Sequence, residues 1–210
     1  MRQPGRRQLF ALKSALFALC LVPFAHLVWG VAYDALGANP VEAVTHSTGW
    51  WTLFFLCATL CVTPLRRLSG ANWLLKLRRM LGLFAFFYVV LHFITYIWLD
   101  QWFDLMAIGA DVLKRPYITV GFTAFLLLIP LAATSTNAMQ RRLGRNWLRV
   151  HRFVYLIAAF GVLHYWWLVK RDITEPALFG LVVASLLGVR LYWTLRRARV
   201  ARPRVATSSG

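Results

Sequence analysis

The sequence predicts an all-α, polytopic membrane protein: a bundle of six transmembrane helices with both termini in the cytoplasm. Three observations carry the prediction. Of the 210 residues, 60% are hydrophobic, too many for a soluble chain of this length. The apolar residues gather in six runs, each near the length that crosses a hydrocarbon core about 30 Å thick. The charges stand between the runs, 24 Lys and Arg against 7 Asp and Glu, for a formal net charge of +17. A basic balance can signal nucleic-acid binding, but here the cations form short clusters that bound uncharged stretches rather than one basic face. The expected surroundings are a lipid bilayer, with no nucleic acid.

Taken in order, Arg2, Arg6 and Arg7 precede the first span, about residues 9–32. This charged head resembles a signal peptide, even a twin-arginine one. The run is long, no small-x-small site closes it, and further spans follow, so it reads as a retained helix. A polar connection with Asp34, Pro40 and Glu42 leads to the second span, about 47–65, stopped by Pro64 and the pair Arg66-Arg67. Lys76, Arg78 and Arg79 introduce the third span, about 80–99. Asp100, Asp104 and Asp111, then Lys114-Arg115-Pro116, lead to the fourth, about 117–133, which Pro130 interrupts. Arg141, Arg142, Arg145 and Arg149 precede the fifth, about 150–169. A turn with Lys170, Arg171, Asp172 and Glu175 brings in the sixth, about 176–195. The end, 200–210, reads as a disordered tail, and residues 1–210 as one membrane domain.

Orientation follows from where the cations lie. The N-terminus, the second-to-third and fourth-to-fifth loops and the C-terminal tail hold 19 of the 24 basic residues, and the other three loops hold all seven acids. By the positive-inside rule the first set is cytoplasmic. Trp50, Trp51, Trp98, Trp102, Trp166 and Trp167 then fall at outer ends, and Trp73 and Trp147 near inner ends, as an aromatic belt. The connections are too short for a flavin or nucleotide fold, and neither G-x-G-x-x-G nor a P-loop occurs. An electron donor or substrate-handling domain must therefore be another protein. Cys20, Cys57 and Cys61 lie inside apolar runs and read as packing residues.

The histidines are the candidate site. An imidazole within a membrane is costly and usually serves ions, protons or electrons. His92, about twelve residues into the outward-running third span, and His164, on the outward-running fifth, fall at comparable depth in the outer half. Facing each other, they could supply both axial ligands of a haem iron. His151 lies at the cytoplasmic edge of the fifth span. Thirteen residues from His164, it is rotated by about 220° on an ideal helix and leaves that face unless the helix bends. The arginines around it, Arg145, Arg149 and Arg152, could hold haem propionates or a flavin phosphate. His26 and His46 lie near the outer face and read as interfacial residues.

The order and spacing of several motifs give a resemblance. They are R-R-M-L-G-L at 78–83, V-L-H at 90–92, L-K-R-P-Y-I-T-V-G at 113–121, P-L-A-A-T-S at 130–135, and L-R-V-H-R-F-V-Y followed by L-H-Y-W-W-L-V-K within 148–170. The chain resembles the haem-binding membrane subunits of bacterial periplasmic methionine sulfoxide reductase systems, within the wider ferric-reductase-like transmembrane group. The resemblance implies haem b in a six-helix bundle of the inner membrane. Electrons would come from quinol or a cytoplasmic flavin reductase and pass to a periplasmic molybdopterin-containing subunit that reduces methionine sulfoxide in proteins. That family is also associated with FMN. By position, His92, His151 and His164 match its histidines. Members of the wider group carry a further histidine fourteen residues before the one at 92, and here that position is Arg78. The reading is therefore one haem on His92 and His164, with a second, on His151 and an unassigned partner, left open. Two rivals remain: another ferric-reductase-like electron transfer, and a non-redox transporter whose histidines relay protons. The latter expects acids inside the spans, and there are none.

Overall fold

A computed structural model describes residues 4–169 and 171–200, and all of its regular structure among these is helical. The elements are α1 (Arg6–Ala32), α2 (Pro40–Ser69), α3 (Leu75–Thr95), α4 (Leu105–Lys114), α5 (Pro116–Ala133), α6 (Asn137–Leu143), α7 (Arg145–His151), α8 (Phe153–Leu168) and α9 (Thr174–Val200). One 3-10 turn (Asn72–Leu74) precedes α3 and one π turn (Tyr96–Asp100) follows it. Five helices are long and apolar enough to cross a membrane: α1, α2, α3 with its flanking turns, α5 and α9. Apolar side chains cover their outsides as well as their contacts, which only a hydrocarbon solvent tolerates over so large an area. The chain is a multi-pass membrane protein. The tail at 201–210 lies outside the described residues.

Burial picks out the centre. In α2, 56% of the apolar window is buried inside the protein, against 22% in α1 and 6% in α9. Helix α2 packs along α3, α5 along α8, and α9 closes against α8 and α2. Leu60, Ala85, Tyr88, Ile157 and Ala158, all at or near zero exposure, form the middle of the core.

Two prolines shape the bundle. Pro64 was expected to stop the second span, but α2 continues through it to Ser69. Its ring removes the N–H that would bond the carbonyl of Leu60. Arg190 of α9 supplies the missing donor, Nη2 to Leu60 O at 2.5 Å, while its Nη1 donates to Tyr155 Oη at 2.9 Å. The helix ends at Gly70, whose φ of 69° lets its N–H reach Arg66 O. In α1, next to Pro23, the hydroxyl of Tyr88 enters the backbone ladder. It accepts from Phe24 N–H at 3.1 Å and donates to Cys20 O at 2.8 Å. Tyr88→Phe should therefore lower stability by about 1–3 kcal/mol through stranded polar groups, read as a lower Tm in detergent. An unchanged Tm would show that the inserted hydroxyl contributes nothing.

The fifth apolar run differs from its expected 150–169 extent. Arg152 interrupts it with tight turns, Arg152 N–H to Arg149 O and Tyr155 N–H to Arg152 O, so α7 ends at His151 and α8 has 16 residues. The acidic third-to-fourth connection holds a helix the sequence did not announce. Asp104 caps α4 by accepting from the N–H groups of Met106 and Ala107.

Candidate functional site

Helices α2, α3, α5 and α8 enclose an apolar cavity of about 270 Å³, and both His92 of α3 and His164 of α8 line it. The two rings stand 6.2 Å apart between centroids, with their planes at 82°. Leu53, Leu56, Phe93, Phe122, Leu128 and Ile157 supply much of the wall. The structure thus brings together the two histidines that topology had placed at one depth.

Each ring is held the same way by the helix across from its own. His92 Nδ1 lies 3.0 Å from Thr45 O of α2, and His164 Nδ1 lies 2.7 Å from Tyr117 O of α5. A carbonyl only accepts, so both Nδ1 atoms carry the proton and donate it, and each Nε2 is left with its lone pair. One turn beyond each carbonyl stands a glycine that makes room for the ring. A Cβ on Gly49 would come within 3.2 Å of His92 Cε1, and one on Gly121 within 2.6 Å of His164 Nδ1. Thr48 Oγ1 is a further neighbour of His92, at 3.4 Å.

Polar groups collect at the mouth of the cavity. Asp111 pairs with Arg115 at 3.1 Å and accepts from Tyr96 Oη and Gln101 Nε2, while Arg115 also donates to Tyr117 Oη. His46 and Asp100 lie on the same rim. These are the acids and the outer-end residues of the predicted topology.

His151 is elsewhere. It sits at the end of α7, its ring stacked on Trp147 at 3.9 Å and its Nδ1 3.1 Å from Trp147 O, and it does not line the cavity. His26 is exposed on α1 beside Trp29. Among the described residues no three His, Cys, Asp or Glu side chains cluster as a metal site.

Thr45, Gly49, Tyr117 and Gly121 are site residues that sequence reasoning missed as such. The available signal was the glycines, since small residues in spans mark close approach of a neighbour. Which neighbour approaches is set by the tertiary packing.

Residues 48–162 of this membrane bundle, which include both cavity histidine-bearing helices up to Val162, match the family of ferric reductase like transmembrane components. The chain belongs to it. It is 56% identical over 197 residues to the protein-methionine-sulfoxide reductase heme-binding subunit MsrQ of Herminiimonas arsenicoxydans, covering 92% of this chain and 90% of that one. The subunits of the same name from Azospira oryzae and Bordetella pertussis are 56% and 49% identical, covering 92% and 93% of this chain and 84% and 96% of theirs. The chain is a member of the MsrQ family. No solved structure gives a significant match.

Proposed function

We propose that this chain is a b-type cytochrome subunit of the bacterial inner membrane. It takes electrons from the quinone pool or a cytoplasmic flavin reductase and passes them to a periplasmic molybdopterin-containing enzyme that reduces methionine sulfoxide in proteins. The observation that carries the reading is the His92–His164 pair, each with Nδ1 tied to a carbonyl and Nε2 available. Their ring centroids are 6.2 Å apart, close enough for both imidazoles to serve one haem iron. Two imidazoles are too few for a bare ion but would suit the iron of a haem.

Haem b in this cavity would supply a one-electron carrier, and the protein's own groups would set how it works. His92 and His164 would hold the iron. Thr45 O and Tyr117 O fix the tautomer and orientation of each ring and raise its basicity. The apolar wall would keep water from the bound group, and Arg115 is the cation at the rim able to meet a haem carboxylate. His151, away from the cavity, stands as a residue of the inner face.

The arrangement of charge supports six spans with both termini cytoplasmic, α8 counting as the fifth, within one membrane domain. It also supports a donor on the basic inner side, where an anionic flavin such as FMN would be held, and an acceptor at the outer mouth. The names of the relatives support a methionine sulfoxide reductase as that acceptor. The first experiment is a dithionite-reduced minus oxidised absorption spectrum of the purified protein. A b-type spectrum is expected, and a colourless protein from haem-supplied cells would overturn the reading in favour of a transporter.

A further inference from the structure

The helix between α3 and α5 is built the wrong way round for water. A surface helix of a soluble protein turns its apolar side inward and its charges outward. In α4 the charged side chain within the helix, Asp111, turns inward, where it accepts from Tyr96 Oη, Gln101 Nε2 and Arg115 at the cavity rim. Leu105, Met106, Gly109 and Leu113 turn outward. Met106 and Leu113 are 86% and 87% exposed, and a Cβ on Gly109 would meet nothing within 4 Å. On an ideal helix these four fall within about 100° of one another, a single uncharged stripe.

Two aromatic rings extend the stripe. Trp102 and Phe103 are 78% and 62% exposed, and both have left-handed backbones, with φ of 49° and 62°. That region is costly for bulky side chains. The turn before α4, closed by Phe103 N–H to Ile97 O and Asp104 N–H to Gln101 O, therefore carries strain and presents two rings to the outside. Water compensates neither.

What covers the stripe follows from what it joins. Ile94 and Trp98 are exposed at the end of the α3 span, and Trp102 continues them at the same four-residue interval. The face is thus continuous with the apolar outside of a membrane-spanning helix. At the other end Pro116 opens α5, the next span, directly after Arg115. The ten residues of α4, about 15 Å of helix, are tethered at both ends where spans leave the hydrocarbon. Lys114 and Arg115 put cations at that level, where lipid phosphates lie.

We propose that α4 is an interfacial helix whose outer face is embedded in the adjoining leaflet, at the boundary of headgroups and acyl chains. Its partner is phospholipid, met by Leu105, Met106 and Leu113 with Trp102 and Phe103. The inner face keeps Asp111 and Val112 on the cavity, so the mouth is roofed by a helix that the bilayer holds down. The assignment stands independently of the haem reading, since it rests on the outer face alone.

The test uses the full chain in phosphatidylcholine–phosphatidylglycerol liposomes, with Cys20→Ala, Cys57→Ala and Cys61→Ala. A nitroxide is attached at Met106→Cys or Leu113→Cys, and its collisions with oxygen, which concentrates in lipid, are compared with those of a water-soluble nickel chelate. Oxygen collisions should dominate at both positions. The wild-type cysteines are kept in a second measurement, which remains readable if the cysteine-free chain fails to fold. The fluorescence difference between wild type and Trp102→Phe should be lost when the liposomes carry brominated phosphatidylcholine. Chelate-dominated collisions at either position, or a Trp102 component that bromine leaves unquenched, would overturn the proposal and leave the stripe facing water, as docking of a soluble protein requires.

Discussion

Replacing His92 or His164 by alanine is expected to lower the haem-to-protein ratio of the purified subunit by at least about 10-fold. The magnitude follows from the arrangement, because even the partners that orient a metal-bound histidine are worth about 10–100-fold in affinity. Each imidazole is held by one carbonyl, Thr45 O or Tyr117 O, and its removal deletes that one contact while the rest of the α2–α3 and α5–α8 packing stays. The loss should therefore appear in the absorption spectrum while the helical circular dichroism stays. Glycine at either position leaves room for free imidazole, and adding it should restore haem to His92→Gly or His164→Gly. His151→Ala should leave the same haem in place, since His151 stacks on Trp147 outside the cavity. Retention of the full haem content in His92→Ala or His164→Ala would place the iron on other ligands.

The second large effect comes from a single methyl group. In Gly121→Ala the new Cβ would lie 2.6 Å from His164 Nδ1, an approach real Cβ atoms do not make, so the ring must leave its bond to Tyr117 O. That disorients the ligand, and haem affinity should fall by about 10–100-fold, as for loss of an orienting partner. Gly49→Ala presses on His92 Cε1 at 3.2 Å, a contact that a shift of a few tenths of an ångström relieves, and should be milder. Gly82→Ala meets Thr59 at 3.8 Å, an ordinary contact, and should leave haem content unchanged. Haem titration of the three apo-proteins checks the order. Equal loss in all three would point to general damage from glycine replacement in spans.

How much of this was legible in the sequence depended on whether local rules or long-range contacts decided each feature. The membrane class and the shared depth of His92 and His164 followed from apolar runs and charge placement, which act through the bilayer rather than through partners. The end of α2 did not follow. Pro64 reads as a stop, and only Arg190, 126 residues later, shows why the helix can pass it (the freed Leu60 carbonyl is bonded from α9). Helix α4 was hidden because its cap, Asp104, looks like one more acid in an acidic connection. His151 was open in sequence because an ideal helix and a broken one place it differently, and the turn at Arg152 breaks it. Gly49 and Gly121 were visible as glycines, but their role needs the ring that crosses from a neighbouring helix.

The most direct test is the electron paramagnetic resonance spectrum of the oxidised, purified subunit beside its His92→Ala and His164→Ala variants. A low-spin ferric signal from an iron with two imidazole ligands is predicted for the wild type. It should turn high-spin, or disappear with the haem, in either variant. A high-spin signal in the wild type, or a low-spin signal that survives either substitution, would contradict the assignment of His92 and His164 as the axial pair.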